Sequence, residues 1–291
     1  MLSLLKRNLK LYFANRTMVF FSMLAALISF VLYLLFLKTG MQQEWQHIPG
    51  NTKLLDPWLI SGTLAVAGLT STGTALSQMV TDRETGRIYD LKLTDLSTWQ
   101  IQSSYLISAM LVGIINQMVA FGLMGGYFQL VDNINIGWGH FDLVLAIAIG
   151  SSLVWTSFNL LIYSFINRVK SISTVNSIIG TASGFFAGTY VPIGTLPSIA
   201  QTVMKCTPAP YVSAAFRQVL MDNQLSSSFK HLPTTVLKNF RLSMGVDIKL
   251  GSTVLSMAQI ILLLSGFLLL FIVLLIIVNY LRRKEVLVHA G

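Results

Sequence analysis

Histidine and cysteine, the residue types that most often bind metals or act as nucleophiles, are rare and scattered in this sequence. The 291 residues contain one cysteine, Cys206, and four histidines: His47, His140, His231 and His289. No two histidines have the H-x-x-x-H spacing of a helical metal site, and a single cysteine excludes an internal disulfide and a cysteine-based cluster. A G-x-x-x-x-G-K-[ST] phosphate loop is also absent. We therefore predict no catalytic site, no metal site and no bound cofactor in this chain.

Six apolar stretches fill most of the chain, and none of them contains a charged residue. Each has about the 20 residues that a helix needs to cross the hydrocarbon of a bilayer. They are Met18–Leu37, Trp58–Met79, Tyr105–Phe128, Leu143–Phe165, Ile172–Tyr190 and Val254–Val278. Ion-driven carriers usually keep an acidic residue or an arginine inside the membrane, because such a costly residue persists only for function. Any uphill transport by this chain therefore needs energy from outside the spans.

The composition also indicates a membrane protein. Hydrophobic residues make up 54% of the chain and charged residues 11%, whereas an average soluble domain has about 25% charged residues. The net charge of +9 is explained by basic residues on the cytoplasmic side and near anionic lipid, so we predict no nucleic-acid partner. The first stretch is longer than a usual signal-peptide core and has no small-x-small cleavage site after it, so we predict a retained span.

Lysine and arginine are concentrated in alternate connections, and this pattern predicts the topology. They occur in the N-terminal segment, in the second and fourth loops and in the C-terminal tail, whereas the third loop has none. Because basic residues favour the cytoplasm, Met1 and Gly291 are both predicted to be cytoplasmic. The fifth loop, about residues 191–253, opposes the bias with six basic residues, but loops of that length count little in the charge rule.

The N-terminal segment, residues 1–17, has apolar residues at helical spacing. The apolar residues are Leu2, Leu5, Leu9, Tyr12 and Phe13, and the basic residues of the other face are Lys6, Arg7 and Lys10. This pattern predicts an amphipathic helix on the inner leaflet, with a simple continuation of the first span as the alternative. Residues 18–291 are predicted to form a six-helix transmembrane domain, so the fold class is an all-α membrane protein.

The second loop, residues 81–102, is the most informative cytoplasmic segment. Between Thr81 and Leu96, four acidic and three basic residues interleave with apolar ones. Gly86 permits a sharp change of backbone direction after the second span. The short amphipathic helix that follows suits either a groove on a soluble partner or the lipid headgroups. Ile88 and Leu91 lie one turn apart and are predicted to present one apolar face to a partner.

The fifth stretch has an unusual spacing of small residues. Gly180, Gly184 and Gly188 form two consecutive small-x-x-x-small steps, which let helix backbones approach closely and predict tight helix packing. The second and fifth stretches are also rich in serine and threonine, a composition typical of the wall of a polar-lined path. Both roles are compatible at different points along the two helices.

Prolines interrupt the chain after the fifth stretch. Residues 191–211 contain V-P-I-G-T-L-P and then T-P-A-P-Y, and prolines break helices into pieces too short to span. Irregular backbone at membrane depth is tolerated only where it is buried in protein or lines water, so we predict a re-entrant segment that resumes as a short helix over Tyr211–Met221. The polar stretch Asp222–Ser252 is predicted to form an extracytoplasmic loop or small cap.

Two of these segments resemble motifs in the permease subunits of type-2 ATP-binding-cassette (ABC) exporters. After their second span, those permeases carry a pattern close to E-R-E-x-G-T-L-x-x-L-L-x-T-P, and residues 82–95 here read D-R-E-T-G-R-I-Y-D-L-K-L-T-D. The matching residues are Glu84, Gly86, Leu91 and Thr94, whereas Arg87 and Asp95 replace the threonine and proline of the pattern. The second pattern, F-P-x-x-x-L-P followed by N-P-L-T-Y and an arginine, is matched by Pro192, Leu196, Pro197, Pro208, Tyr211 and Arg217.

The resemblance implies a permease without catalysis of its own, in the plasma membrane of a bacterium. In the family, a separate cytoplasmic ATPase binds ATP and Mg²⁺ and docks on the helix after the second span. Its closure drives two permease chains, identical or different, between inward-open and outward-open states. The resemblance places the coupling element at Glu84, Gly86, Ile88, Leu91 and Thr94, the path at Thr72, Asn176, Thr181 and Phe185, and the outer gate at Pro192, Leu196, Pro197, Pro208, Tyr211 and Arg217.

Other functions are weighed against this resemblance. An intramembrane enzyme, such as a lipid-modifying transferase, needs a nucleophile or an acid–base pair at membrane depth, and the apolar stretches contain neither. The transport subunit is the leading interpretation, and a non-transporting sensor subunit of an ATPase pair is an alternative that the sequence also permits. For the cargo, spans with uncharged polar residues favour a hydrophobic or amphipathic drug, antibiotic or peptide. A lipid-linked polysaccharide or teichoic-acid precursor is the alternative.

Overall fold

The computed structural model describes residues 1–134, 136 and 138–289, with side chains up to Leu281. Gly291, predicted to be cytoplasmic, lies outside the described residues. The helices are α1 (Leu2–Ala14), α2 (Arg16–Leu32), α3 (Lys38–Glu44), α4 (Asn51–Glu84), α5 (Arg87–Lys92), α6 (Thr98–Asp132), α7 (Phe141–Ser164), α8 (Val169–Phe186), α9 (Ser198–Lys205), α10 (Ala209–Leu220), α11 (Asp222–Ser228), α12 (Thr234–Ser243) and α13 (Met257–His289). A π-helical turn, Tyr33–Leu37, joins α2 to α3, and the short strands β1 (Lys249–Leu250) and β2 (Thr253–Val254) pair antiparallel.

Five helical segments of the described chain are long and apolar enough to cross a membrane. They are Arg16–Glu44, Asn51–Glu84, Thr98–Asp132, Trp138–Ser164 and Met257–Leu281. They overlap five of the six predicted stretches and extend beyond most of them at one or both ends, because the helices continue into the polar boundary of a bilayer. The sixth stretch is predicted to begin at Val254, which lies in β2, whereas the helix begins at Met257. The predicted fifth span corresponds to α8, whose serine, threonine, asparagine and glycine content lowers its hydropathy. The chain is therefore a helical, multi-pass membrane protein, and α8 is not among these five segments.

Helix α4 is the centre of the fold. It packs against α2, α6, α7, α8 and α10, and 89% of the residues in its most apolar part are buried. Small residues allow this close packing. At Gly68, for example, a methyl group would lie only 2.9 Å from the amide of Gln117. Helix α13, by contrast, packs on α7 and α10, and only 11% of the residues in its most apolar part are buried.

The N-terminal helix α1 is separate from the first span. Asn15 has non-helical dihedral angles, and its side chain accepts a hydrogen bond from the backbone N–H of Met18 at 3.0 Å, which caps α2. The alternative of a continuous first helix is therefore wrong. The predicted apolar face is also partly wrong: Leu2 is exposed, and α1 instead buries Leu4, Asn8 and Tyr12.

The connections between the long helices alternate between two ends of the bundle. At one end, which we call the α5 end, Arg7 of α1 and the end of α4 lie together through an ion pair with Asp82. At the opposite end, residues 193–254 form a cap. Trp58, near the start of α4, donates a hydrogen bond from Nε1 to the backbone oxygen of Met244 in this cap at 2.6 Å.

The cap is more regular than its proline content predicted. The predicted short helix over Tyr211–Met221 is present as α10 and begins two residues earlier. Helix α10 is almost wholly buried and packs against α4, α7 and α13. The stretch predicted as a loop or small cap contains α11, α12 and the β1–β2 hairpin, and these pack around buried residues such as Phe229 and Phe240.

Candidate coupling surface and translocation groove

A sharp turn separates α4 from the short helix α5. Gly86 has φ of 77°, a left-handed conformation that a side chain would strain, so this position favours glycine as the sequence predicted. Helix α5 then runs six residues, and the Thr94 hydroxyl donates to the backbone oxygen of Leu91 at 2.6 Å beyond its end. Arg87, one of the departures from the family pattern, is the first residue of α5 and is exposed.

The apolar residues of α5 face in two directions. Ile88 and Leu91 are half-buried and pack against the core at the α5 end, next to Met79 and Ile101 among others. The outward apolar face was therefore predicted on the wrong residues. Tyr89 and Leu93 are the exposed ones, with 67% and 87% of their surface accessible. Spacing alone located one apolar pair correctly on one face of the helix, but it did not reveal which side the bundle covers.

Glu84, at the end of α4, contacts the start of α8 directly. Its carboxylate oxygen Oε2 accepts a hydrogen bond from the backbone N–H of Val169 at 2.7 Å. Val169 is the first residue of α8, whose N-terminal N–H groups have no partners within the helix. A carboxylate at this position also interacts favourably with the positive end of the helix dipole. The end of α4, from which α5 projects, is thus joined to α8 through one side chain.

Asp82, which sequence reasoning did not single out, is the most highly connected carboxylate at the α5 end. It is fully buried and accepts hydrogen bonds from Nη1 and Nη2 of Arg7, at 2.7 and 3.0 Å. Tyr105 of α6 donates from its hydroxyl at 2.5 Å, and Gln78 donates at 2.9 Å. The hydrogen bond to Asp82 raises the pKa of Arg7 above its ordinary value. This group of side chains joins α1, α4 and α6 into one unit.

A groove of about 510 Å³ lies between α2, α4 and α8. Its apolar wall comes mainly from α2, with Phe21, Leu24 and Ile28 among others. Its polar lining consists of uncharged side chains: Thr70, Thr74, Ser173, Asn176, Ser177 and Thr181. Among the described residues that line it, none is charged. The hydroxyls of Thr74, Ser177 and Thr181 donate to backbone oxygens of their own helices, so they present oxygen acceptors and methyl or methylene groups to the groove.

The four predicted path residues do not all lie at this groove. Asn176 and Thr181 line it. Phe185 lies beside it, exposed, with its ring 5.0 Å from that of the groove residue Tyr190. Thr72 is wrongly placed by the prediction, because it is fully buried and accepts a hydrogen bond from Asn159 of α7 at 3.0 Å. The sequence did show Thr70 and Thr74 among the polar residues of the second span, but not which of them face the groove.

The three glycines of α8 do not form one packing face within this chain. Gly180 lies near another helix: a methyl group there would sit 3.9 Å from the methyl group of Ala25 in α2. At Gly184 the added methyl would instead clash with the ring of Tyr190, at 2.3 Å. Gly188 lies beyond the end of α8 and has φ of 63°. The prediction of helix packing through all three is therefore corrected to Gly180 alone.

The predicted outer-gate residues lie at the starts of short elements. Pro192 precedes a 3₁₀ turn, Pro197 precedes α9 and Pro208 precedes α10, as expected of a residue with fixed φ and no N–H. Leu196 joins the 3₁₀ turn to Pro197. The Tyr211 hydroxyl donates to the backbone oxygen of Lys205 at 2.8 Å, which connects α10 to the end of α9.

Arg217 is a buried cation held by backbone oxygens. It donates to the carbonyls of Gly188 at 2.8 Å, Ala187 at 3.3 Å and Gly245 at 3.2 Å. Its guanidinium also lies 4.7 Å from the ring centroid of Trp58, within the range of a cation–π interaction. Arg217 therefore ties the end of α8 and the cap to α4.

A second group of charged residues lies near the cap. Lys38 contacts Asp56 at 3.1 Å and Asp132 at 2.7 Å, and the Tyr33 hydroxyl donates to Asp56 at 2.7 Å. Asp56 is fully buried in α4, two residues before the predicted apolar stretch. The apolar stretches thus lack charge, but the helices that contain them do not. These contacts hold the ends of the first, second and third long segments together.

Comparison with known proteins agrees with this architecture. The family model described as ABC-2 type transporter matches residues 1–221, which is three quarters of the chain and includes α1 to α10. No curated protein and no solved structure matches the chain. Proteins of this family are generally non-catalytic membrane subunits that work with an ABC ATPase. The chain belongs to the ABC-2 type transporter family, as a multi-pass permease subunit.

Proposed function

We propose that this chain is the membrane-spanning subunit of an ATP-driven exporter of a hydrophobic or amphipathic cargo, such as a drug, antibiotic or peptide. A separate cytoplasmic ATPase binds ATP and Mg²⁺ and supplies the energy. One observation carries the proposal. The uncharged groove is lined by α8, and the first residue of α8 donates a hydrogen bond to Glu84, the last residue of α4, the helix that precedes α5. Movement of α5 is thereby transmitted to a wall of the path.

The ATPase docks on the exposed face of α5. Tyr89 and Leu93 supply apolar surface there, and Trp99 at the start of α6 is exposed nearby in the chain. Exposed aromatic and aliphatic side chains of this kind are typical anchors of protein interfaces. Ile88 and Leu91 act from inside, because they fix α5 to the bundle. Glu84 and Gly86 then set the direction in which α5 projects.

The topology that suits this function has six crossings, with α8 as the fifth. A helix with polar groups is tolerated in a membrane when those groups face protein or a water-filled path. Both termini then lie in the cytoplasm of a bacterium, with α1 on the inner leaflet. Helices α9 and α10 form a re-entrant segment that closes the outer end of the path, with α9 at the outer membrane surface and α10 buried against α4, α7 and α13.

A second permease chain, identical or different, covers the open side of the groove. The groove lies on the surface of this chain, between α2 and α8, and exposed apolar residues such as Phe21 line it. Two such grooves facing each other enclose a path, while α13 remains in contact with lipid. Gly180 allows α2 and α8 to stay close at the rim.

Reconstitution with its ATPase tests the proposal. In proteoliposomes, a panel of amphipathic drugs and peptides should stimulate ATP hydrolysis, and the stimulating compound should accumulate on the side opposite the ATPase. A partner carrying a substitution that abolishes ATP hydrolysis is the control. Stimulation without accumulation would assign a sensor subunit, and stimulation only by lipid-linked polysaccharide precursors would replace the proposed cargo class.

A further inference from the structure

The cap contains a cavity that the translocation path does not use. Its volume is about 360 Å³, within the range of small-ligand sites. The 3₁₀ turn Ile193–Thr195, α9, α12 and β1 surround it. Its lining differs from that of the α2–α8 groove, because it includes the charged residues Lys205, Asp247 and Lys249.

The only acidic residue that lines this cavity in the described chain is already neutralised. Asp247 accepts hydrogen bonds from Nε and Nη2 of Arg241, both at 2.8 Å, and from the amide of Gln218 at 3.3 Å. The ion pair raises the pKa of Arg241, so its charge is retained at neutral pH. The two lysines therefore determine the electrostatic potential inside the cavity.

The two lysines are available to a ligand. Lys249 is exposed, and Lys205 is half-buried with one weak hydrogen bond, 3.4 Å long, to the side-chain oxygen of Gln201. Within the part of the chain that the structure describes, neither forms an ion pair. The uncharged polar residues Asn239 and Ser243 add donors to the same cavity. Two ammonium groups and two neutral side chains with donors in one cavity suit a phosphate, which offers several acceptor oxygens.

Helix α9 gives this cavity a position relative to lipid. Ile199 and Val203 lie four residues apart, on one face, and are 80% and 52% exposed. An apolar helix face beside basic residues is typical of a helix that lies at a membrane interface. Lys205 is the last residue of α9. It is therefore placed where headgroups would be, if the cap lies outside the membrane as in the proposed topology.

We propose that this cavity binds a phosphate group, supplied by the headgroup of an anionic phospholipid or by free phosphate. Lys205 and Lys249 bind the phosphate oxygens, and Asn239 and Ser243 complete the site. The proposal gives a role to two of the six basic residues of the fifth loop, Lys205 and Lys249. Cargo transport does not enter the argument, so the site stands or falls separately from the exporter function.

Lipid retention by the full-length chain tests the site. Nanodiscs containing equal amounts of phosphatidylglycerol and phosphatidylcholine, whose choline offsets its phosphate charge, are analysed by native mass spectrometry. Phosphatidylglycerol should remain bound to the natural chain, and Lys205→Gln/Lys249→Gln should weaken that retention by about tenfold. The matched control is Lys230→Gln/Lys238→Gln, which removes the same charge from the cap at positions that do not line the cavity. The control should retain the lipid.

A second arm distinguishes the two sources of phosphate. If free phosphate is the ligand, calorimetric titration of the lipid-depleted chain with inorganic phosphate should show saturable binding. The variant Lys205→Gln/Lys249→Gln should lose this binding. Saturable binding of phosphatidylglycerol alone assigns the headgroup. Equal lipid loss in Lys205→Gln/Lys249→Gln and in the control variant would overturn the proposal. So would full lipid retention by both Lys205→Gln/Lys249→Gln and the charge-reversed Lys249→Glu. Thermal unfolding of each variant verifies that the cap remains folded.

Discussion

The carboxylate of Glu84 accepts a hydrogen bond from the backbone N–H of Val169 at 2.7 Å, and this contact joins two parts of the chain 85 residues apart. One partner belongs to the end of α4, from which α5 projects. The other begins α8, which lines the groove. The Glu84 carboxylate thus gives a partner to the first N–H group of α8, which has none within its own helix. The contact also fixes the distance between the end of α4 and the start of α8.

The first prediction concerns this contact. Glu84→Ala should lower stability by about 1 kcal/mol, as the loss of a helix cap does, and should reduce transport per ATP hydrolysed because α8 no longer follows α5. Glu84→Gln keeps an acceptor oxygen at the same place and should retain most of the coupling. The ratio of transport to hydrolysis in proteoliposomes measures this. Equal ratios for the alanine variant and the natural chain would contradict it.

A second prediction separates the outer and inner faces of α5. Tyr89→Asp/Leu93→Asp should abolish co-purification of the ATPase, because it places charge in an apolar contact. The control, Ile88→Ala/Leu91→Ala, should instead lower the thermal-unfolding midpoint of the permease, because these side chains pack inward. The double alanine variant should keep its ATPase at a temperature where it is folded. The opposite pattern would return the docking face to Ile88 and Leu91.

A third prediction uses a matched pair of threonines. Thr181→Val removes a hydroxyl that lines the groove, so the cargo concentration for half-maximal ATPase stimulation should rise by about two- to tenfold. Thr72→Val removes a hydroxyl that is buried against Asn159. It should lower the thermal-unfolding midpoint and leave the cargo concentration unchanged. A larger cargo effect at Thr72 would show that the path lies between α4 and α7 instead.

The fourth prediction concerns the Arg7–Asp82 ion pair, in which the carboxylate is fully buried and the arginine is 30% exposed. Asp82→Asn should lower the free energy of unfolding by about 2 kcal/mol, because the buried side chain loses the charge that strengthens its hydrogen bonds from Arg7 and Tyr105. A double-mutant cycle with Arg7→Met should show strong coupling between the two positions. The comparison pair Arg241–Asp247 is partly exposed on both sides, and the same cycle there should give about 1 kcal/mol or less. Equal coupling energies for the two pairs would show that burial does not strengthen the first.

Much of the helical fold is predictable from the length of the apolar stretches, because the bilayer sets that length. The contacts at both ends are not. Asp56 and Asp82 lie just outside the apolar stretches, and the partner of Asp82, Arg7, is 75 residues away in sequence. Nothing in local spacing indicates that these residues meet. Helical periodicity also places residues on a face without showing which side is covered, as Ile88 and Leu91 illustrate.

The glycine spacing of α8 shows a second limit. A small-x-x-x-small pattern assumes that the helix continues through all three residues. Helix α8 ends at Phe186, where the chain turns and returns Tyr190 over Gly184. The pattern therefore records two different requirements, a close helix contact at Gly180 and a tight return of the chain at Gly184 and Gly188. Sequence spacing does not distinguish them.

The exposure of α13 determines how freely its sequence can change. Residues such as Leu262 and Leu269 face away from the bundle, whereas Ile260 and Phe271 are buried against it. At the outward positions, leucine, isoleucine, valine and phenylalanine contribute similar free energies of insertion into lipid. Evolution can therefore exchange these residues with little penalty, provided that the helix stays apolar. We expect sequence divergence between homologues of this chain to accumulate on the outward face of α13, while its inward face changes more slowly.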